Sequence, residues 1–214
     1  MSEPTTVFTD YVLAGVALAL AWRLSRLRPR ASVPGRFWAA SFAALAVAAL
    51  VGGTWHGIPA DTAPALRYFL WSITYVAIGV ADLLMLAGAT RAALTPWTGA
   101  AVLTVLTIRF LAYAGLVASL RQFRFVAVEF GVTLLLLLAF SLDLARRREP
   151  AAAFALGGVA LSFAGGLVLA LGVSPHPRFN SNDLFHVIQT GGVWLFFQAA
   201  LLLRSRGEAA AAQA

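Results

Sequence analysis

The sequence predicts an all-α fold, a polytopic membrane protein built as a seven-transmembrane-helix bundle with the N-terminus outside and the C-terminus cytoplasmic. Composition is the first ground: 60% of the residues are apolar and 12% are charged, against roughly a quarter charged in soluble domains. Segment length is the second, because seven apolar stretches reach or nearly reach the roughly 20 helical residues that a hydrocarbon core requires. The third is the placement of the arginines, which sets the orientation.

In chain order the spans are expected at 8–25, 37–56, 67–89, 97–119, 125–145, 152–173 and 184–203, in one domain covering 1–206, with a disordered tail at 207–214. Met1 to Thr6 carry no positive stretch, so no cleavable signal peptide is expected before span one. Span one is bounded by Thr9-Asp10 as an N-cap and by the arginines from Arg23 onward. The breaks carry residues that stop helices: Pro29, Pro34 and Gly35, then Pro59 and Pro64, Pro96, Pro150, and Pro175 with Pro177. Only the turn at Arg121 to Arg124 lacks a proline or glycine. Span six carries Gly158, Ser162 and Gly166 four residues apart, a small-residue stripe that predicts close helix packing.

Cytoplasmic loops of membrane proteins collect basic residues. Eleven of the sixteen arginines fall after spans one, three, five and seven: Arg23, Arg26, Arg28, Arg30, Arg36, Arg91, Arg146, Arg147, Arg148, Arg204 and Arg206. Those positions become cytoplasmic, and the net charge of +7 is accounted for without a nucleic-acid partner. The chain has no lysine, which excludes a retinal Schiff base, and no cysteine, which leaves histidine and carboxylate as the only strong ligands for a transition metal. No internal repeat is evident, which counts against a transporter built from inverted halves.

The side assignment gathers the polar residues. His56, His176 and His186 share the outer side with Asp10, Asp61, Glu129 and Asp183. On span seven Asn182, Asp183 and His186 project from one helical face, which Gln189 and Thr190 continue one turn deeper. His56, Glu129, Asp183 and His186 are expected to form an outward-opening, water-accessible pocket whose imidazole and carboxylate groups suit zinc, with His176 as a further candidate ligand. The competing reading makes Asn180 to Asp183 a helix cap and His56 an interfacial residue beside Trp55. Deeper in the bundle Arg109 reaches either Asp82 or Glu129 in a structural ion pair.

Two motifs carry a resemblance: Gly53-Thr54-Trp55-His56-Gly57 at the end of span two, and Phe179-Asn180-Ser181-Asn182-Asp183-Leu184-Phe185-His186-Val187-Ile188-Gln189 entering span seven. In a seven-span chain they resemble the superfamily of alkaline ceramidases and progestin and adipoQ receptors, and more closely a bacterial branch of seven-span proteins. The resemblance implies the bacterial cytoplasmic membrane as location. In its ceramidase-like members it also implies zinc held by a span-two histidine and an H-x-x-x-H pair on span seven, whose bound water attacks a lipid amide. His56 and His186 match two of those ligands. Asn182 stands where the third would be, Gly52 replaces a serine, and Asp82 lies too deep to match the span-three aspartate. Two functions follow. One is a non-catalytic membrane protein that binds a lipid or small amphiphile or joins a membrane-protein assembly. The other is a divergent zinc-dependent hydrolase of a lipid amide or ester, with His56, His186 and Asp183 as ligands and Glu129 with Asp183 as catalytic residues.

Overall fold

The computed structural model describes residues 3–27, 33–59 and 61–203. The expected tail at 207–214, and Arg28, Arg30, Arg204 and Arg206, lie outside the described residues. Seven helices follow in order: α1 Pro4–Leu27, α2 Val33–Gly57, α3 Pro64–Ala93, α4 Pro96–Leu120, α5 Phe123–Arg146, α6 Ala151–Leu171 and α7 Ser181–Leu202. All seven are long and apolar enough to cross a membrane, which makes the chain an integral membrane protein.

The prolines act mostly at helix starts. Pro4, Pro64 and Pro96 open α1, α3 and α4, where a missing N–H costs nothing because the first-turn donors have no helical acceptor. Pro34 and Gly35 lie in the first turn of α2 instead of in the preceding break. Helix α1 therefore begins at Pro4, and Thr9 and Asp10, expected to cap it, lie more than a turn inside it and are buried. The α4 to α5 turn, which lacks glycine, places Arg121 in the left-handed region (φ 55°), and its guanidinium sits 4.0 Å over the Tyr68 ring.

Six helices form a ring in the order α1, α2, α3, α5, α6, α7, closed by contact of α7 with α1 and crossed by contact of α2 with α7. Helix α4 stands outside and touches only α3 and α5. Its outward face is apolar, with Trp97 90% exposed and Val105, Ile108 and Leu111 also open, as a lipid-facing helix requires. Tyr113 holds it inward by donating to the Tyr75 carbonyl (2.7 Å), while Gly79 leaves room for the Tyr113 ring.

Between α6 and α7 the backbones approach closely. A Cβ on Gly158 would meet the Phe196 ring at 2.7 Å, and one on Gly192 would meet Ser162 Oγ at 3.0 Å. The stripe departs from expectation at its last member: Gly166 faces open space, and Gly165 packs against Phe185 instead.

The starts of α1, α3, α5 and α7 and the ends of α2 and α4 meet at one end of the bundle. Trp55 stacks on Trp71 (centroids 4.4 Å) and Trp71 on Phe123 (6.4 Å). Arg67 lies 4.0 Å over Trp55 and donates to the carbonyls of Trp55 and Ile58.

Candidate functional site

Helix α7 opens at Asn180, whose side chain accepts from the backbone N–H of Asn182 (2.8 Å) and Asp183 (3.2 Å), while Asp183 Oδ2 accepts from the Asn180 N–H (2.7 Å). This reciprocal capping box satisfies amides that a helix start leaves free. The other carboxylate oxygen, Asp183 Oδ1, accepts from Thr6 Oγ1 of α1 (2.8 Å), and Asp183 is fully buried. One aspartate thus caps α7 and ties it to α1.

One turn further along α7, His186 makes the second tie. Its Nδ1 lies 3.2 Å from Thr9 Oγ1 and its Nε2 3.3 Å from Asp10 Oδ1. Because the Thr9 hydroxyl donates to the Thr6 carbonyl (3.1 Å), it accepts from Nδ1, which fixes the ring proton there. The Nε2 to Oδ1 contact then needs one further proton, carried by the ring or by the carboxyl. A third tie joins α1 to α2, with His56 Nδ1 2.9 Å from Glu3 Oε2 and the Glu3 N–H donating to the His56 carbonyl (3.2 Å).

Each member of the first motif has a local task. A Cβ on Gly53 would fall 2.8 Å from Asp10 Cβ and 2.9 Å from the Tyr11 ring, so only glycine lets α1 lie close enough to deliver Asp10. Tyr11 bonds Thr54 Oγ1 (3.1 Å), and Val7 covers Gly57. Sequence reasoning missed α1 as the third element of the site. Glu3 just before Pro4, and Thr6 and Asp10 after it, repeat at helical spacing around a proline suited to a first turn, a signal masked by taking Thr9-Asp10 as the cap.

The expected pocket is corrected in two respects. His56 and His186 do come within electrostatic reach of each other, and Asp183 within reach of both His56 and Asp10, but as a shielded cluster. The side chains of His56 and His186 are 13% and 12% exposed. Glu129 does not join them, since α5 touches neither α1, α2 nor α7. Its Oε1 accepts from Nε (3.1 Å) and Nη2 (2.6 Å) of Arg109, which also donates to Thr133 Oγ1 (2.6 Å). Arg109, open between two carboxylates from the sequence, thus pairs with Glu129, while Asp82 lies within electrostatic reach of both. His176 is exposed and closes the turn before α7, its Nδ1 accepting from the Arg178 N–H (3.1 Å).

Zinc takes three or four protein ligands. Among the described residues no three histidine, aspartate or glutamate side chains gather in a metal-holding group. Both oxygens of Asp183 are engaged by α1 and the cap, and Glu129 belongs to Arg109. The donor set as arranged does not fit zinc. Among the described residues two acceptors on these helices are buried with no donor: Asp10 Oδ2 in the cluster, and Gln189 Oε1, three residues beyond His186 on α7.

Fold and site together define a seven-helix membrane protein whose polar end cluster locks α1 onto α2 and α7. The chain belongs to DUF6962, a family of unknown function, whose model matches residues 5–205. No curated protein and no solved structure matches it.

Proposed function

We propose that the chain is a non-catalytic binding protein of the bacterial cytoplasmic membrane, oriented N-terminus out, which takes the polar head of a small amphiphile at the end cluster. The division between engaged and open atoms supports this reading. Both nitrogens of His186 and one oxygen of Asp183 serve contacts between helices and the other Asp183 oxygen caps α7, so these groups, which could bind a metal or move a proton in catalysis, are already engaged. Asp10 Oδ2 and Gln189 Oε1 have no donor, and an unsatisfied buried acceptor costs about 1–3 kcal/mol. A ligand that donates hydrogen bonds removes that cost.

The test is thermal unfolding of the purified chain with dodecyl-chain ligands differing only in the head group. At least one should raise the unfolding midpoint of the wild type and leave Gln189→Leu unmoved. A panel that shifts neither protein overturns the reading.

A further inference from the structure

The two ends of the bundle treat their arginines differently. At the end that carries the polar cluster, Arg67, Arg121 and Arg124 lie over the rings of Trp55, Tyr68 and Phe125. With Arg178 they share that end with four acids, Glu3, Asp10, Asp61 and Asp183, so charge there is balanced. The opposite end is built from the ends of α1, α3, α5 and α7 and the starts of α2, α4 and α6. Arg23 and Arg26 close α1, Arg36 opens α2, Arg91 closes α3, and Arg146 to Arg148 finish α5 and its turn. Only two acids accompany them among the described residues, Asp143 and Glu149, and Asp143 is taken by Arg147. Arg147 also donates to the Ala93 carbonyl (3.5 Å), tying the end of α5 to that of α3. Among the described residues no other arginine of this end has an ion-pair partner. Arg23, Arg36, Arg146 and Arg148 are exposed, and Arg91 is half-buried with an Nε that has no acceptor.

We infer that this arginine-rich end is a docking surface for anionic phospholipids of the leaflet around it, whose phosphate groups answer the open guanidinium groups. The surface lies at the end of the bundle away from the polar cluster, so it is independent of the amphiphile reading above. Depth selects lipid as the occupant. Trp22 and Trp97, 62% and 90% exposed, stand at the same end of α1 and α4, and tryptophan settles at the level of the head groups. The arginines therefore occupy the layer in which lipid phosphates lie. Guanidinium suits phosphate because its planar fork donates paired hydrogen bonds, and basic side chains beside an anionic leaflet each strengthen the attachment several-fold. A zwitterionic lipid offers the same phosphate with its charge already cancelled by its own cation. In the orientation proposed above, the leaflet is the cytoplasmic one.

The experiment titrates phosphatidylglycerol, phosphatidylcholine or inorganic phosphate into the purified full-length chain in neutral detergent at low salt. Bound lipid is counted by native mass spectrometry, and the unfolding midpoint is followed alongside. Phosphatidylglycerol should bind about tenfold or more tightly than phosphatidylcholine and raise the midpoint, whereas inorganic phosphate should leave it unmoved. Replacing four exposed arginines together, Arg23→Gln, Arg36→Gln, Arg146→Gln and Arg148→Gln, should reduce that preference by about tenfold or more. Arg178→Gln, at the other end, should keep it. Should the fourfold variant fail to fold, salt decides on the wild type, because screening at roughly 0.5 M weakens exposed charge contacts and should erase the preference. Equal binding of the two lipids, a preference that survives either the fourfold variant or high salt, or a midpoint raised as much by inorganic phosphate would overturn the lipid surface.

Discussion

His186 on α7 directs Nε2 at Asp10 Oδ1 on α1, 3.3 Å away, while its Nδ1 meets Thr9 one residue earlier on the same helix. A single imidazole thus reads two consecutive side chains of a helix that is remote in sequence, and a shared proton closes the contact. Removing the ring leaves Asp10 buried with neither oxygen paired. His186→Ala should therefore lower stability by about 1–3 kcal/mol. Because the partners act as a unit, His186→Ala combined with Asp10→Ala should cost less than the sum of the single changes, by about 0.5–3 kcal/mol. Denaturant unfolding of the four proteins of that cycle gives the coupling. Strict additivity would mean that the contact contributes nothing.

Gly53 and Gly166 make a matched pair for backbone approach. A Cβ at Gly53 collides with Asp10 and Tyr11, whereas one at Gly166 meets nothing within 4 Å. Gly53→Ala should cost about 1–3 kcal/mol by forcing α1 away from α2. Gly166→Ala should be neutral or stabilising by up to about 1 kcal/mol, the helix-propensity gain. Thermal midpoints of the two variants check the contrast, and equal midpoints would place the α1 to α2 approach elsewhere.

Arg109 is the one cation among Asp82, Glu129 and Thr133. Arg109→Met strands two buried carboxylates and should cost about 3–5 kcal/mol. Glu129→Gln leaves the guanidinium with Asp82 still nearby and should cost less. Because Arg109 and Tyr113 tether the outlying α4, hydrogen exchange in Arg109→Met should rise first in α4. A larger loss in Glu129→Gln than in Arg109→Met would contradict this account of the ion pair.

Why the bundle was legible in the sequence and the site only partly so has a physical basis. Span number follows from hydropathy and length, and the seven helices lie where the apolar segments are. Depth also follows, because a residue's distance along a span gives its distance from the helix end, and this placed His56, Asp183 and His186 correctly at one end. Angular position around the ring does not follow from one sequence. Glu129 shares that end but sits on α5, which touches none of α1, α2 and α7, so depth alone grouped it wrongly. Asp10 was lost for a different reason: Thr and Asp near a span start fit a cap by composition, and Pro4 places the true start more than a turn earlier. The Asn180 to Asp183 cap was recoverable because capping is local chemistry, fixed by residue type and spacing.

The central claim is that the end cluster engages its own side chains across α1, α2 and α7 instead of holding a metal. Elemental analysis of the purified wild type beside a His56→Ala, His186→Ala double variant tests it most directly. The account predicts no zinc in the wild type above the level in the double variant. Near-stoichiometric zinc in the wild type, lost when both histidines are removed, would contradict it and restore the metal-dependent hydrolase.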